Sequence, residues 1–164
     1  MNRTDLRSWR LLATRLGAGV LVSWSVLYAP QAAAVLGGDA DSVRTDQGRM
    51  NGALRVSVAP SLHVHEITLP DGSSVRQFAS ANGIVFAVVW HTRLKPNLEL
   101  LLGSYNADYV VAAREAMRRP GIRRSAVLTR GDLVVHSSGH LNTFVGRAYA
   151  PSLVPPGFNV DEIR

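Results

Sequence analysis

The sequence predicts an α+β domain in which a largely antiparallel sheet of about six to seven strands packs on one long helix, the sheet either open or closed into a partial barrel. Three observations carry this. Apolar residues alternate at a period of two from Leu54 onward, Pro- and Gly-containing turn signals separate the alternating runs, and a single segment, residues 97–117, switches to a three-and-four spacing.

The elements follow in chain order. Residues 35–53 are rich in Gly, Asp, Ser, Arg and Gln and read as a flexible lead-in, or alternatively as a short helical turn near 42–50. In residues 54–58, Leu54, Val56 and Val58 alternate with Arg55 and Ser57, as a half-buried strand requires, and Pro60 ends the run. A second strand spans 62–69. Pro70-Asp71-Gly72-Ser73 then supplies a preset φ and a residue tolerant of positive φ, which predicts a turn into a third strand over 74–79. Asn82-Gly83 is a strong hairpin signal, and the run Ile84-Val85-Phe86-Ala87-Val88-Val89-Trp90 is apolar on both faces, which predicts a central strand covered on both sides.

Leu98, Leu101, Leu102, Tyr105, Tyr109, Ala112, Ala113 and Ala116 fall on one helical face and supply that cover. Asn97 is placed to cap the N-terminus, and Pro120-Gly121 stops the chain beyond Arg118 and Arg119. Gly103 inside the segment predicts a kink or a close backbone approach. Strands over 125–129, 133–137 and 143–149 follow in meander order, joined by Arg130-Gly131-Asp132 and a Ser138-Gly139 loop. The domain proper is thus 54–150, and residues 151–164, with Pro151, Pro155, Pro156 and Gly157, read as an irregular C-terminal tail.

Residues 1–34 have the layout of a cleavable export signal. Arg3, Arg7, Arg10 and Arg15 outnumber Asp5, residues 16–28 carry no charge, and Ala32-Ala33-Ala34 offers small residues for cleavage before Val35. The apolar run is shorter than the ~20 residues of a membrane span, so a retained anchor is the lesser reading and no stable membrane insertion is expected after cleavage. The expected address is periplasmic or secreted. Taking four arginines and one aspartate from the 18 basic and 12 acidic residues leaves 14 against 11, a net charge of +3. That excess is ordinary for a soluble protein and predicts no nucleic-acid partner. With no cysteine, the chain has neither disulfides nor thiolate metal ligands, and its apolar core alone must hold it in an oxidising compartment.

Three clusters are chemically suggestive. His63 and His65 project from one strand face, shared by Ile67 and Leu69, and with His136 and His140 they form a four-imidazole metal candidate. No other cofactor is implied. Ser137 or Ser138 with His136 or His140 and Asp132 has the residue types of a hydrolytic triad, but the members crowd one hairpin and no Gly-x-Ser-x-Gly elbow exposes a nucleophile. Arg118, Arg119, Arg123 and Arg124 are the densest basic cluster after residue 34, suited to an anion or an acidic partner, or to the dipole of the preceding helix.

Several segments together resemble a family of bacterial exported proteins known as domain of unknown function 2844. They are Leu36-Gly37-Gly38-Asp39-Ala40, Val64-His65-Glu66-Ile67 with Leu69-Pro70, Val85-Phe86-Ala87-Val88-Val89-Trp90, Leu101-Leu102-Gly103-Ser104-Tyr105, Asp132-Leu133-Val134-Val135 with Gly139-His140, and Phe144-Val145-Gly146-Arg147-Ala148-Tyr149 with Pro151-Ser152-Leu153. The resemblance implies export and one domain, and assigns no activity or catalytic residue. The expected function is a non-enzymatic envelope protein that binds a partner protein or polymer through a sheet edge or groove. The alternative is a metal-binding protein or enzyme built on the four histidines.

Overall fold

The computed structural model describes residues 35–40, 43–118 and 125–163. Among the described residues, seven strands form one open antiparallel sheet in the order β1-β2-β3-β4-β7-β6-β5. They are β1 (Ala53–Ala59), β2 (Leu62–Thr68), β3 (Ser74–Ser80), β4 (Val85–Thr92), β5 (Ser125–Arg130), β6 (Leu133–His140) and β7 (Thr143–Tyr149). A four-strand meander and a three-strand meander meet where β4 pairs with β7. The helical connection carries the chain across the sheet to its far edge, so β5 and β1 are the two edge strands.

Each strand forms where alternation and a turn coincide, and the central β4 is buried along nearly its whole length. One turn differs from the sequence reading. Ser138, Gly139 and His140 belong to β6, and the hairpin reverses at Leu141-Asn142, with Leu141 at φ +48°. Gly139 stays in the strand because the Phe144 ring lies where its side chain would be: a Cβ there would meet ring carbons at 3.0 and 3.1 Å. The glycine marks a close approach rather than a turn.

One face of the sheet carries the helices. The helical run comprises α2 (Leu98–Leu102), a single 3-10 turn at Gly103–Tyr105 and α3 (Asn106–Met117). The Asn97 carboxamide oxygen accepts the Leu100 N–H at 3.1 Å, a side-chain N-cap. Gly103 produces the break, the first of the two alternatives the sequence offered; its close neighbour is the Val35 side chain rather than a backbone. Its φ is +48°, and a Cβ would come within 2.9 Å of the Val35 Cβ. Leu101, Leu102 and Ala112 pack with Val75, Val88, Trp90, Leu133, Val135 and Ala148. A short helix, α1 (Val43–Met50), covers the other half of this face, where Val43 and Met50 meet Ile67, Leu54 and Leu69.

Where the sequence suggests a flexible lead-in, residues 35–40 are bonded to the sheet. The Gly37 N–H donates to the Val85 carbonyl at 2.7 Å and the Val85 N–H to that of Gly38 at 2.9 Å, while Leu36 is fully buried. The segment 151–163, irregular by composition, lies on the opposite face of the sheet. It contains 3-10 turns at Pro151–Leu153 and Val160–Glu162, and Ile163 is fully buried. A β-bulge prepares this face. The register steps from Phe78↔Ala87 to Ala79↔Val85, skipping Phe86, so Phe86 and Ala87 both join the apolar cluster under the tail. Asp132, in the β5–β6 turn, ties the tail in place by accepting the Ser152 N–H at 2.9 Å and the Ser152 hydroxyl.

Candidate functional site

The strand register assigns every histidine of the proposed metal set to a face. His63 and His65 lie on the helix-bearing face of β2, where His65 is buried opposite Gln77. His136 and His140 point to the tail-bearing face of β6, because the adjacent Val135 packs with the helices on the other. Three strands separate β2 from β6, a centre-to-centre distance of about 19 Å at ordinary strand spacing. The two pairs are thus held apart, on opposite faces. Among the described residues no group of three or more His, Asp or Glu is placed to hold a metal ion.

Of the triad residue types, Ser138 shares a face with His136 and His140, but the acid and the other serine are directed elsewhere. Asp132 is engaged by Ser152, with the Tyr105 hydroxyl 3.5 Å away, and Ser137 shares a face with Val135 rather than with His136. Of the basic cluster, Arg118 is exposed at the end of α3, and Arg119, Arg123 and Arg124 lie outside the described residues.

What the structure does assemble is a groove of about 450 Å³ on the tail-bearing face, next to the β5 edge. Its floor follows the register row Val89–Arg147–His136–Val127 and the neighbouring row Val145–Ser138–Ser125, and Ile163 stands at its end. The lining is mainly apolar, with two charged or titratable groups at its centre. Arg147 faces the tail: Nη1 donates to the Val160 and Ile163 carbonyls at 3.2 and 3.1 Å, and Nη2 lies 3.7 Å from the Asp161 carboxylate. Its guanidinium thereby fixes the wall of the groove, and Val89, Val127 and Val145 supply apolar surface to the floor beside His136.

Burial, followed by the Arg147 charge, holds His136 below its ordinary value of 6.5, with Asp161 opposing weakly. The folded chain therefore prefers the neutral imidazole. As pH falls below that ordinary value the unfolded chain takes up the proton more readily, so this contribution to stability is lost toward acid and is constant above it. His136→Gln is expected to flatten the stability–pH curve between about pH 7 and 5. Urea denaturation at stepped pH measures this, and an unchanged acid slope in the variant would refute it.

The β5 edge completes the surface. Arg130 and Leu133 face one another across a two-residue turn and are a hydrogen-bonded pair, so strict alternation makes Ser125, Val127 and Thr129 the residues whose N–H and C=O groups point away from β6. Val127 also presents a side chain that is 66% exposed at the groove rim. A chain segment laid along β5 would thus find backbone partners at the edge and, on alternate residues, apolar contacts in the groove. Sequence reasoning missed Val127, Val145, Arg147 and Ile163. The hairpin register alone could have aligned Val127 with His136 and His136 with Arg147, but the tail carries no period that would place Ile163 beside them.

No curated protein and no solved structure matches the chain. A family model does, over residues 32–163, and covers every described element from the bonded lead-in to the tail. The chain belongs to the family described as "Protein of unknown function (DUF2844)".

Proposed function

We propose that the chain is an exported envelope protein, periplasmic or secreted, that acts without catalysis by binding an extended segment of a partner protein along β5. The observation that carries the binding reading is the coincidence of edge backbone at Val127, without a strand partner among the described residues, with an apolar groove beside the same strand. Recognition of this kind draws affinity from main-chain hydrogen bonds and selectivity from pockets for alternate side chains. The export reading rests on the charge and apolar layout of residues 1–34.

Peptide display against the purified protein tests the first half. Selected peptides should carry apolar residues at alternate positions. Thr129→Pro, which removes an edge N–H but no bond to β6, and Val127→Asp, which charges the rim, should each abolish selection. Equal enrichment on both variants would refute β5 as the site. Cell fractionation with N-terminal sequencing tests the second half, with Val35 expected as the first residue outside the cytoplasm. Met1 retained in the cytosol would refute export, and Met1 retained in the membrane fraction would support an anchor.

A further inference from the structure

At the opposite edge, β1 combines features that suit it to itself. Val56 and Val58 are 50% and 68% exposed. The β1–β2 ladder runs through seven pairs without a bulge, and Arg55 is the one charged residue in the strand. Natural edges are usually guarded against pairing by charge, proline or bulges, and within β1 only Arg55 serves that purpose.

The backbone pattern sharpens this. Ala59 and Leu62 face each other across a two-residue turn and form a hydrogen-bonded pair, so alternation turns the N–H and C=O groups of Leu54, Val56 and Val58 toward the open edge. These are also the residues whose side chains lie on the helix-bearing face, with His65 and Ile67. Backbone valence and apolar side chains are therefore in phase. At β5 the corresponding outward row is Ser125, Val127 and Thr129, with one apolar member instead of three.

We propose that a second copy of this chain pairs antiparallel with β1 about a two-fold axis through Val56, joining the two sheets into one. The register is self-complementary. Val56 meets its own counterpart, Leu54 meets Val58, Arg55 meets Ser57 and Ala53 meets Ala59. Same-face residues oppose throughout, and no like charges face each other, which an isologous contact requires. Joining at β1 leaves both β5 edges at the outer ends of the combined sheet, so the inference stands or falls independently of the partner reading at β5.

The absence of cysteine from the sequence gives a direct test. Across the axis the two Val56 Cα atoms would lie about 5.5 Å apart, inside the ~4.4–6.8 Å range a disulfide spans. Val56→Cys in the full chain should therefore yield a covalent dimer on mild oxidation, and Val127→Cys on the other edge should not. Sedimentation of the protein without added cysteine should show a monomer–dimer equilibrium. Val56→Lys should weaken it by about tenfold or more, because two ammonium groups then meet at the axis. Val56 is half-exposed in the isolated chain, so circular dichroism should remain that of the folded protein in these variants. A monomer at every concentration up to about 1 mM, the Kd of even a weak contact, would overturn the proposal. So would a dimer unaffected by Val56→Lys, or equal crosslinking from Val127→Cys.

Discussion

Gly146→Ala is expected to destabilise the protein by about 3 kcal/mol or more, a large fraction of the stability of a domain this size. Gly146 sits in β7 directly opposite Trp90 in β4, at the junction of the two meanders. A Cβ there would lie 2.5 Å from Trp90 Cε2 and 2.6 Å from the His136 carbonyl oxygen. Neither neighbour can yield cheaply. Trp90 is 1% exposed and packed in the main core, and the His136 carbonyl belongs to the β6–β7 ladder. The added methyl must push an indole out of a close-packed core or force β6 and β7 away from each other against their hydrogen bonds. Urea denaturation followed by circular dichroism reads the loss. If the indole is the obstacle, Trp90→Leu should cost less in the Gly146→Ala background than alone, a coupling that a double-mutant cycle measures. Simple additivity would mean that the ladder, not the ring, resists the methyl.

Much of the fold was legible because its signals are local. Seven strands, the N-cap at Asn97 and the interruption at Gly103 all follow from alternation, side-chain chemistry and glycine placement within a few residues. Local signals also misled where one residue type serves two purposes. Gly139 reads as punctuation but accommodates Phe144, and the actual turn uses Leu141, an apolar residue at positive φ. What could not be read was long-range. The pairing of β4 with β7 decides that His63 and His65 lie far from His136 and His140, and nothing within either meander encodes it. The candidate surface was illegible for the same reason. Its floor draws on four strands and its end wall on Ile163, whose position depends on a tail without periodicity. The weakness of the histidine signal was itself legible, since no carboxylate accompanied it at ligand spacing.

Phe86→Ala is expected to cost about 3–5 kcal/mol, the range for emptying a phenylalanine site in a core. Phe86 is 0% exposed and occupies the bulge that turns it toward the tail. There its ring meets Phe158 nearly edge-on, with centroids 5.1 Å apart at 70°, and Phe78 at 6.4 Å. The cavity left by alanine would open between sheet and tail, where Leu153, Val154 and Val160 complete the packing. Phe158→Ala, at a partly exposed site, should cost less overall but loosen the tail selectively, which limited proteolysis would register as earlier cleavage after residue 150. Because Arg147 holds the Val160 and Ile163 carbonyls against β7, loss of the Phe158 anchor should be transmitted to the end wall of the groove. Peptide selection at β5 should then weaken in Phe158→Ala while the sheet remains intact. A destabilisation of Phe86→Ala below about 1 kcal/mol, the level of an ordinary surface change, would show that the tail does not form this second core.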